Sequence, residues 1–229
     1  MTNDYAGFAA DSLLQALPPD LSKRLFALAR PLRVKAGRMV FAAGDAADGC
    51  YVIEEGLLKV TVGLETKGER ILAVLVPGSI VGEFSVVDGS PRSATVSAIR
   101  DSKLGFINRI VFQSFAEENP EFFRHLALLL IRRLRDTNAT VAATSFMSLK
   151  GRAARVLLNL AEAFGREVGS GRILIHQKIS QGDLAGMAGI ARENMSRILN
   201  DWMKSSLVSR VSGYYCLEDR AKLAQEARQ

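Results

Sequence analysis

Short runs of apolar and β-branched residues follow one another between turn signals from Leu32 to about Ile107. Runs of this kind are typical of strands joined by tight turns, and they favour a compact all-β roll or sandwich over a parallel α/β sheet. The segment Glu65–Glu69 has the composition of a hairpin loop. The runs are RMVFAAGD, CYVIEEG, LLKVTVGLETKGE, RILAVLVPGS, SATVSAI and SKLGFI.

The pattern changes to that of a long helix after Asn119-Pro120, because the next 27 residues contain neither Gly nor Pro. A seam of residues at alternating spacings of four and three predicts pairing with another helix. Leu126, Leu129 and Ile131 lie off the seam and give the helix a second apolar face. We expect one face to cover the β domain and the other to meet a second subunit, while burial within a monomer stays an open alternative. The seam consists of Phe123, Ala127, Leu130, Leu134, Thr137, Val141 and Thr144.

The residues after the long helix have the pattern of a small helical domain. A break at 148–151 precedes the amphipathic helix GRAARVLLNLAEAFG, which ends at Gly165, and a Gly-rich loop and the short strand ILIHQ follow. Ser180 and Asp183 resemble a capping box, with Asp in place of Glu, and open a helix that ends at the Gly189 turn. This part of the chain is therefore predicted to hold two closely spaced helices.

The second of these helices has an apolar stripe on one side and charges on the other. Arg192, Glu193 and Arg197 fall on the outer side, near the start of the helix. The segment LVSRVSGYYCL then has the pattern of a hairpin that turns at Ser212-Gly213. Helix, turn, helix and β wing together predict a winged helix-turn-helix. The buried stripe consists of Met195, Ile198, Leu199 and Trp202.

The net charge of +6 is concentrated in the C-terminal third of the chain. Residues 1–147 carry 17 Lys and Arg against 16 Asp and Glu, whereas residues 148–229 carry 13 against 8. A basic excess of this kind suits an anionic partner such as nucleic acid, although many basic faces are simply solvated.

The composition argues against several other classes of protein. There is no run of about eighteen apolar residues and no basic N-terminus followed by an apolar run, so we expect a cytoplasmic protein without a membrane span or signal peptide. Cys50 and Cys216 lie far apart, with no Cys or His at metal-ligand spacing. That spacing argues against zinc, an iron–sulfur cluster or a disulfide framework, and both cysteines are predicted to be buried thiols.

The stretch GEFSVVDGSPRSATV, residues 82–96, places a carboxylate and an arginine in a region with the pattern of buried strand. Glu83 and Arg92 fit a structural ion pair. Burying an arginine costs free energy, however, unless a planar anion accepts hydrogen bonds from its guanidinium group. Gly82 permits close approach of a ligand, EFSVV can form a helical turn and Ser93 adds a hydroxyl. A site suited to a phosphate, a carboxylate for sugar hydroxyls and an apolar pocket together predict nucleotide binding. The Walker pattern GxxxxGK is absent.

The motifs GE…PRSATV and ARENMSRIL resemble, in order and spacing, those of the catabolite activator or cyclic-AMP receptor protein (Crp-Fnr) family of bacterial transcription regulators. The resemblance extends from about Leu13 to Leu217. It implies an α+β fold: an N-terminal antiparallel β-roll of the cyclic-nucleotide-binding jelly-roll type at 1–118, a long dimerisation helix at 119–147 and a C-terminal winged helix-turn-helix at 148–229. It also implies a homodimer that binds cyclic AMP or cyclic GMP, double-stranded DNA and RNA polymerase. No catalytic residue, metal, haem, iron–sulfur cluster or membrane contact is expected.

The resemblance also implies roles for individual residues, and a DNA palindrome containing TGTGA or a close variant. The nucleotide site would consist of Gly82 and Glu83 on the ribose side, Arg92 and Ser93 at the cyclic phosphate, Phe84 and Ser85 through their backbone N–H groups, and Thr137 with Asn138 at the purine. The DNA-binding residues would be Lys178, Ser180, Gln181, Arg192, Glu193, Asn194 and Arg197.

The chain departs from the family pattern at a few positions. Asn138 stands where the best-known member carries Ser, which leaves open cyclic GMP as the effector or a partner subunit that contacts the ligand differently. Ala191 stands where Ser or Thr usually caps the recognition helix, a loss that costs about 1 kcal/mol of helix stability. Gln181 and Gly182 replace the more usual Arg and Gln at the start of the preceding helix.

Two other functions stay open from the sequence. A regulator of the same type whose β pocket is empty or binds another effector would carry the same motifs. A nucleotide-acting enzyme would need a nucleophile, a paired acid and base or a metal cluster, and near the pocket only Glu83 and the turn residue Asp88 are acidic. A haem is disfavoured because His125 lies in a helix-packing region and His176 precedes the DNA-binding helices.

Overall fold

The computed structural model describes residues 17–63 and 69–228, which form two compact units. The first unit contains residues 17–62 and 72–135, and the second contains residue 63, residues 69–71 and residues 136–228. The hairpin loop predicted at Glu65–Glu69 lies outside the described residues, apart from Glu69.

An antiparallel β-roll forms the first unit, as the succession of short apolar runs predicts. Its strands are β1 (Arg30–Val34), β2 (Met39–Phe41), β3 (Gly49–Val62), β4 (Arg70–Leu75), β5 (Ile80–Val81) and β6 (Thr95–Asn108). The long strands β3 and β6 pair from Gly49 opposite Asn108 to Thr61 opposite Thr95. Strands β1 and β2 also pair with β6, whereas β4 and β5 are hydrogen-bonded to β3. The two long strands therefore form the centre of the roll.

Helices cover one side of the roll. They are α1 (Pro19–Ala27), the short α2 (Glu83–Asp88), α3 (Arg109–Glu118) and α4 (Pro120–Phe146). Phe122 of α4 packs edge to face against Phe112 and Phe115 of α3, with ring centroids 5.4 Å apart in each pair. The same cluster contains Leu126 and Leu129, together with residues of β3. One face of α4 therefore covers the β domain, as the sequence predicts.

A second face of α4 is apolar and exposed. Leu134 and Val141 of the predicted seam are 61% and 58% exposed. Ile131 is also exposed, whereas Leu126 and Leu129 are buried, so the prediction that these three residues form one apolar face is wrong. Two residues correspond to a rotation of about 200° around a helix, which turns Ile131 away from the roll. The helix itself begins and ends within one residue of its predicted bounds.

A winged helix-turn-helix forms the C-terminal part, as predicted. Its elements are α5 (Leu149–Phe164), β7 (Gly165–Glu167), β8 (Ile173–Ile175), α6 (Gln181–Ala188), α7 (Arg192–Lys204), β9 (Val208–Val211), β10 (Tyr214–Leu217) and α8 (Arg220–Glu226). The strands pair in the order β7-β8-β10-β9. Ser212 and Gly213 both have positive φ, 51° and 88°, in the two-residue turn of the wing.

Capping and burial explain the ends and the orientation of these helices. The Ser148 hydroxyl accepts from the Gly151 N–H at 3.0 Å and begins α5. The Ser180 hydroxyl accepts from the Asp183 N–H at 3.0 Å and donates to its carboxylate at 2.7 Å, which confirms the N-cap part of the predicted capping box. The apolar stripe of α7 is buried throughout, which turns the charged side of that helix to solvent.

Both cysteines, Cys50 and Cys216, are buried free thiols, as predicted. Within residues 17–63 and 69–228, no group of His, Cys, Asp and Glu side chains is arranged to hold a metal ion. None of the helices in those ranges is long and apolar enough to cross a membrane.

Candidate functional site

A glycine in the left-handed conformation turns the chain from β5 into α2. Gly82 has φ of 83° and is the N-cap of this short helix. A Cβ at this position would overlap the Arg92 Nη1 atom and lie 3.4 Å from the Phe41 ring. Only glycine combines this conformation with such a close approach of the arginine. The helical turn predicted for EFSVV is present and ends at Gly89, which has φ of 77°.

The Arg92 guanidinium is buried beside this turn, with its side chain only 2% exposed. Its Nη1 donates to the Gly82 carbonyl at 2.9 Å and its Nη2 to the Gly49 carbonyl at 2.6 Å, while the Phe41 ring centroid lies 4.3 Å from Cζ. Its Nε has no hydrogen-bond partner among the described residues. The Asp48 carboxylate lies 3.6 Å from Nη2, but that side chain is 74% exposed and largely solvated. Arg92 is therefore a buried cation with weak charge compensation and an unused donor.

Glu83 pairs with Arg133 of α4 rather than with Arg92. Arg133 Nη1 donates to Glu83 Oε1, and Arg133 Nη2 donates to the Ile80 carbonyl at 2.7 Å. The structural ion pair between Glu83 and Arg92 that the sequence allowed is therefore not formed. Burial raises the pKa of the Glu83 carboxyl above its ordinary value, although the nearby Arg133 and Arg92 charges oppose the shift.

Sequence reasoning missed Arg133 as a member of the site. The signal that indicates it is helical spacing, because Arg133 follows Leu129 by four residues and so lies on the inward face of α4. An arginine on an otherwise apolar inward face needs an acidic partner, and Glu83 is that partner.

Further contacts bind α2 to the segment that carries Arg92. The Ser85 hydroxyl donates to the Pro91 carbonyl at 3.2 Å, and Arg109 Nη2 donates to the Ser85 carbonyl at 2.7 Å. Phe84 and Ser93 are exposed next to these buried residues. The structure thus places six of the predicted nucleotide-binding residues around one turn. They are Gly82, Glu83, Phe84, Ser85, Arg92 and Ser93.

Thr137 and Asn138 lie on α4, four and five residues after Arg133, and both are exposed. Thr137 therefore lies one helical turn beyond Arg133, on a neighbouring part of the helix surface. Their contact with a purine stays a prediction.

The outer face of α7 carries the predicted DNA-binding residues of that helix. Arg192, Glu193 and Arg197 are exposed, and Asn194 is half-buried. Arg197 Nη2 donates to the Asn194 amide oxygen at 2.6 Å rather than to Glu193. Ala191 is the N-cap and makes no side-chain capping bond, as its identity predicts. The arrangement leaves charged donors and acceptors on one exposed helix face.

The residues predicted to contact DNA before and at the start of α6 lie close together. Lys178 and Ser180 are exposed, and Gln181 is half-buried. The Ser180 hydroxyl already serves as the N-cap of α6, so its remaining hydrogen-bonding capacity is small. Of Lys178, Ser180 and Gln181, it is Lys178 that carries a positive charge and can bind an anion through it.

The match with known protein families covers both parts of the chain. The family model described as the cyclic nucleotide-binding domain matches residues 31–119, and the model described as the Crp-like helix-turn-helix domain matches residues 151–226.

Two relatives from other bacteria are similar to this chain over most of its length. The chain is 30% identical to the cyclic AMP receptor protein of Thermus thermophilus over 83% of this chain and 85% of that protein. It is 28% identical to the CRP-like cAMP-activated global transcriptional regulator of Mycobacterium tuberculosis, over 96% and 98%. Among solved structures, the c-di-GMP responsive global regulator of Xanthomonas campestris has a TM-score of 0.76 at 21% identity, over 88% of this chain and all of that one.

Proposed function

Because the chain belongs to the Crp-Fnr family of bacterial transcription regulators, we propose that it is a dimer that binds cyclic AMP and, in that state, a palindromic DNA site. Both matched domains are those of cyclic-nucleotide-responsive transcription regulators rather than enzymes. In this proposal residues 1–118 bind the nucleotide, residues 119–147 form the dimer and residues 148–229 bind DNA. RNA polymerase is the expected further partner of the DNA-bound dimer.

The buried Arg92 is the observation that supports the nucleotide site most strongly. A guanidinium without a buried carboxylate partner is costly, and an Nε without a hydrogen-bond partner increases that cost. A cyclic phosphate would accept from Nε and from a neighbouring terminal nitrogen in the bidentate geometry that arginine favours. Ser93, next in the chain and exposed, offers a hydroxyl to the same group.

The identity of the nucleotide is proposed from the relatives. The proteins of Thermus thermophilus and Mycobacterium tuberculosis are named for cyclic AMP, which favours adenine here too. Thr137 and Asn138 are the proposed purine contacts, and Asn138 leaves cyclic GMP as the second nucleotide to test. Calorimetric titration of the purified protein with both nucleotides is the test. We expect saturable binding with cyclic AMP the tighter ligand, and no heat of binding with either nucleotide would contradict the proposal.

In a second candidate function, the protein binds DNA but its β pocket binds a different effector. It is favoured by the contacts already present, because Glu83 is engaged by Arg133 and both terminal nitrogens of Arg92 donate to backbone carbonyls. The similar regulator of Xanthomonas campestris is described as responsive to cyclic di-GMP. A third titration with cyclic di-GMP separates the candidates, since heat from that ligand alone would favour the second.

The exposed apolar face of α4 supports dimer formation, and we expect Leu134→Asp to produce monomers. A charge at this position would be desolvated in the paired helices without a partner. Analytical ultracentrifugation measures the result. Leu128→Asp is the matched control, because Leu128 is also exposed on α4 but lies about 120° around the helix from Leu134. A Leu134→Asp protein that sediments as the wild type does would contradict the pairing.

The charged face of α7 supports base recognition, and we expect Arg197→Ala to cost about 1–3 kcal/mol on the preferred site. Arg can pair bidentately with guanine O6 and N7, and a carboxylate such as Glu193 can accept from cytosine N4. The proposed site contains two TGTGA-like halves about one helical turn, roughly 34 Å, apart. Binding-site selection followed by anisotropy titration measures both the motif and the loss.

Lys178→Ala is the comparison variant for Arg197→Ala. A phosphate contact carries no sequence information, so this variant should weaken binding to all duplexes alike and lower the salt slope by about one. Arg197→Ala should instead reduce the preference at one guanine. Selection that returns no symmetric motif, or an Arg197→Ala protein with unchanged base preference, would show that α7 is not the recognition helix.

A further inference from the structure

An aromatic residue of the wing holds a lysine of the loop before α6. Tyr214 is the first residue of β10, and the Lys178 Nζ atom lies 5.3 Å from its ring centroid. The His176 ring lies 6.3 Å from the same ring. A Cβ at Gly213 would lie 3.7 Å from the Lys178 Cε atom. The end of the lysine side chain is therefore close to both the Tyr214 ring and the turn of the wing.

This arrangement fixes the position of the lysine without using its donors. A cation within about 6 Å of an aromatic centroid is attracted by the π electrons of the ring. The ring accepts no conventional hydrogen bond from it, so the three ammonium N–H groups stay available. Lysine otherwise samples many rotamers, and holding it in one orientation reduces the entropy lost when it binds an anion.

Tyr214 differs in burial from the tyrosine that follows it in the strand. Tyr215 is 1% exposed and fills the interior of the domain, because successive residues of a strand point to opposite sides. Tyr214 is half-buried on the outer side, where Lys178 and His176 are both exposed. Its ring thus lies at the surface, beside a basic group that faces solvent.

We propose that Tyr214 is a positioning residue for DNA binding, which holds the Lys178 ammonium group where it meets a backbone phosphate. The proposal rests on the proposed DNA-binding function. It adds that the wing and the loop before α6 act as one unit, with Tyr214 acting through Lys178 and without reading a base.

Salt-dependent DNA binding of the full chain, with cyclic AMP present, tests this role. The probes are a labelled duplex with two TGTGA halves and an unrelated duplex. Tyr214→Leu should weaken binding to both by about two- to fivefold and lower the salt slope toward that of Lys178→Ala, a drop of up to about one. Tyr214→Phe keeps the ring face and should retain the wild-type affinity and slope. Adding Tyr214→Leu to Lys178→Ala should cause no further loss, because the two residues act as a pair.

The outcomes separate this proposal from the function on which it rests. A wild-type protein that binds neither duplex would overturn both. If Lys178→Ala lowers the salt slope but Tyr214→Leu leaves the slope unchanged, Tyr214 has no positioning role, whatever happens to affinity. Loss of affinity in Tyr214→Phe equal to that in Tyr214→Leu would also overturn it, since the ring face is then not what matters. Thermal unfolding of each variant checks that the domain is folded.

Discussion

Replacing Arg133 with alanine is expected to lower the free energy of unfolding by about 3 kcal/mol, because the substitution leaves the Glu83 carboxylate buried without its partner. Breaking a buried pair on one side typically costs about 3–5 kcal/mol, and the lower end applies because the Arg133 side chain is 21% exposed. Urea unfolding measures the change. Arg124→Ala, an exposed arginine on the same helix, should change stability by less than about 0.5 kcal/mol.

The pH dependence of the Arg133→Ala variant tests whether Glu83 causes its loss of stability. Without Arg133, the pKa of the buried Glu83 rises further above its ordinary value of 4.5. Between that value and the raised one, the folded protein keeps a proton that the unfolded chain releases, so stability falls as pH increases. The double variant Glu83→Gln/Arg133→Ala should lose this dependence and recover part of the stability. A pH-independent loss in Arg133→Ala would show that the ion pair is not its cause.

The Arg92→Leu variant is expected to bind the cyclic nucleotide tenfold to more than a hundredfold more weakly. It loses a charge-assisted bidentate contact worth about 1.5–3 kcal/mol, and more where the contact is desolvated. Calorimetric titration measures the affinity, and Arg38→Leu is the control because Arg38 is an exposed arginine of the same unit. Arg92→Gln is a second variant that removes the charge but keeps a donor for the Gly82 or Gly49 carbonyl. Unchanged affinity in both folded Arg92 variants would refute the site.

The fold follows largely from local patterns in the sequence. Runs of apolar residues with turn signals indicate the roll, the absence of Gly and Pro indicates the long helix, and the capping box with the α7 stripe indicates the C-terminal domain. These signals come from residues that are close together in the sequence, so they can be recognised without knowing the tertiary structure. The orientation of Ile131 is an exception, because it is apolar like Leu129 but lies about 200° around the helix from it, on an exposed side.

The candidate site is predictable only where its residues are close in sequence. The segment Gly82–Ser93 carries its own signal in its glycine, its acid and its arginine. The partner of Glu83 lies fifty residues further on, at Arg133, and α4 offers Arg132 and Arg135 next to it. Choosing among these arginines requires knowing which side of the helix faces the roll, which is a property of the tertiary packing.

The most direct test of cyclic-nucleotide control is the affinity of the dimer for its palindrome with and without nucleotide. Anisotropy titration of a labelled duplex is carried out with no ligand, with saturating cyclic AMP and with saturating cyclic GMP, for the wild type and for Arg92→Leu. We expect a cyclic nucleotide to tighten binding to the palindrome in the wild type, and Arg92→Leu to lose this response while keeping its affinity for unrelated DNA. A wild-type affinity that is the same under all three conditions, in a protein that binds the palindrome, would contradict cyclic-nucleotide control.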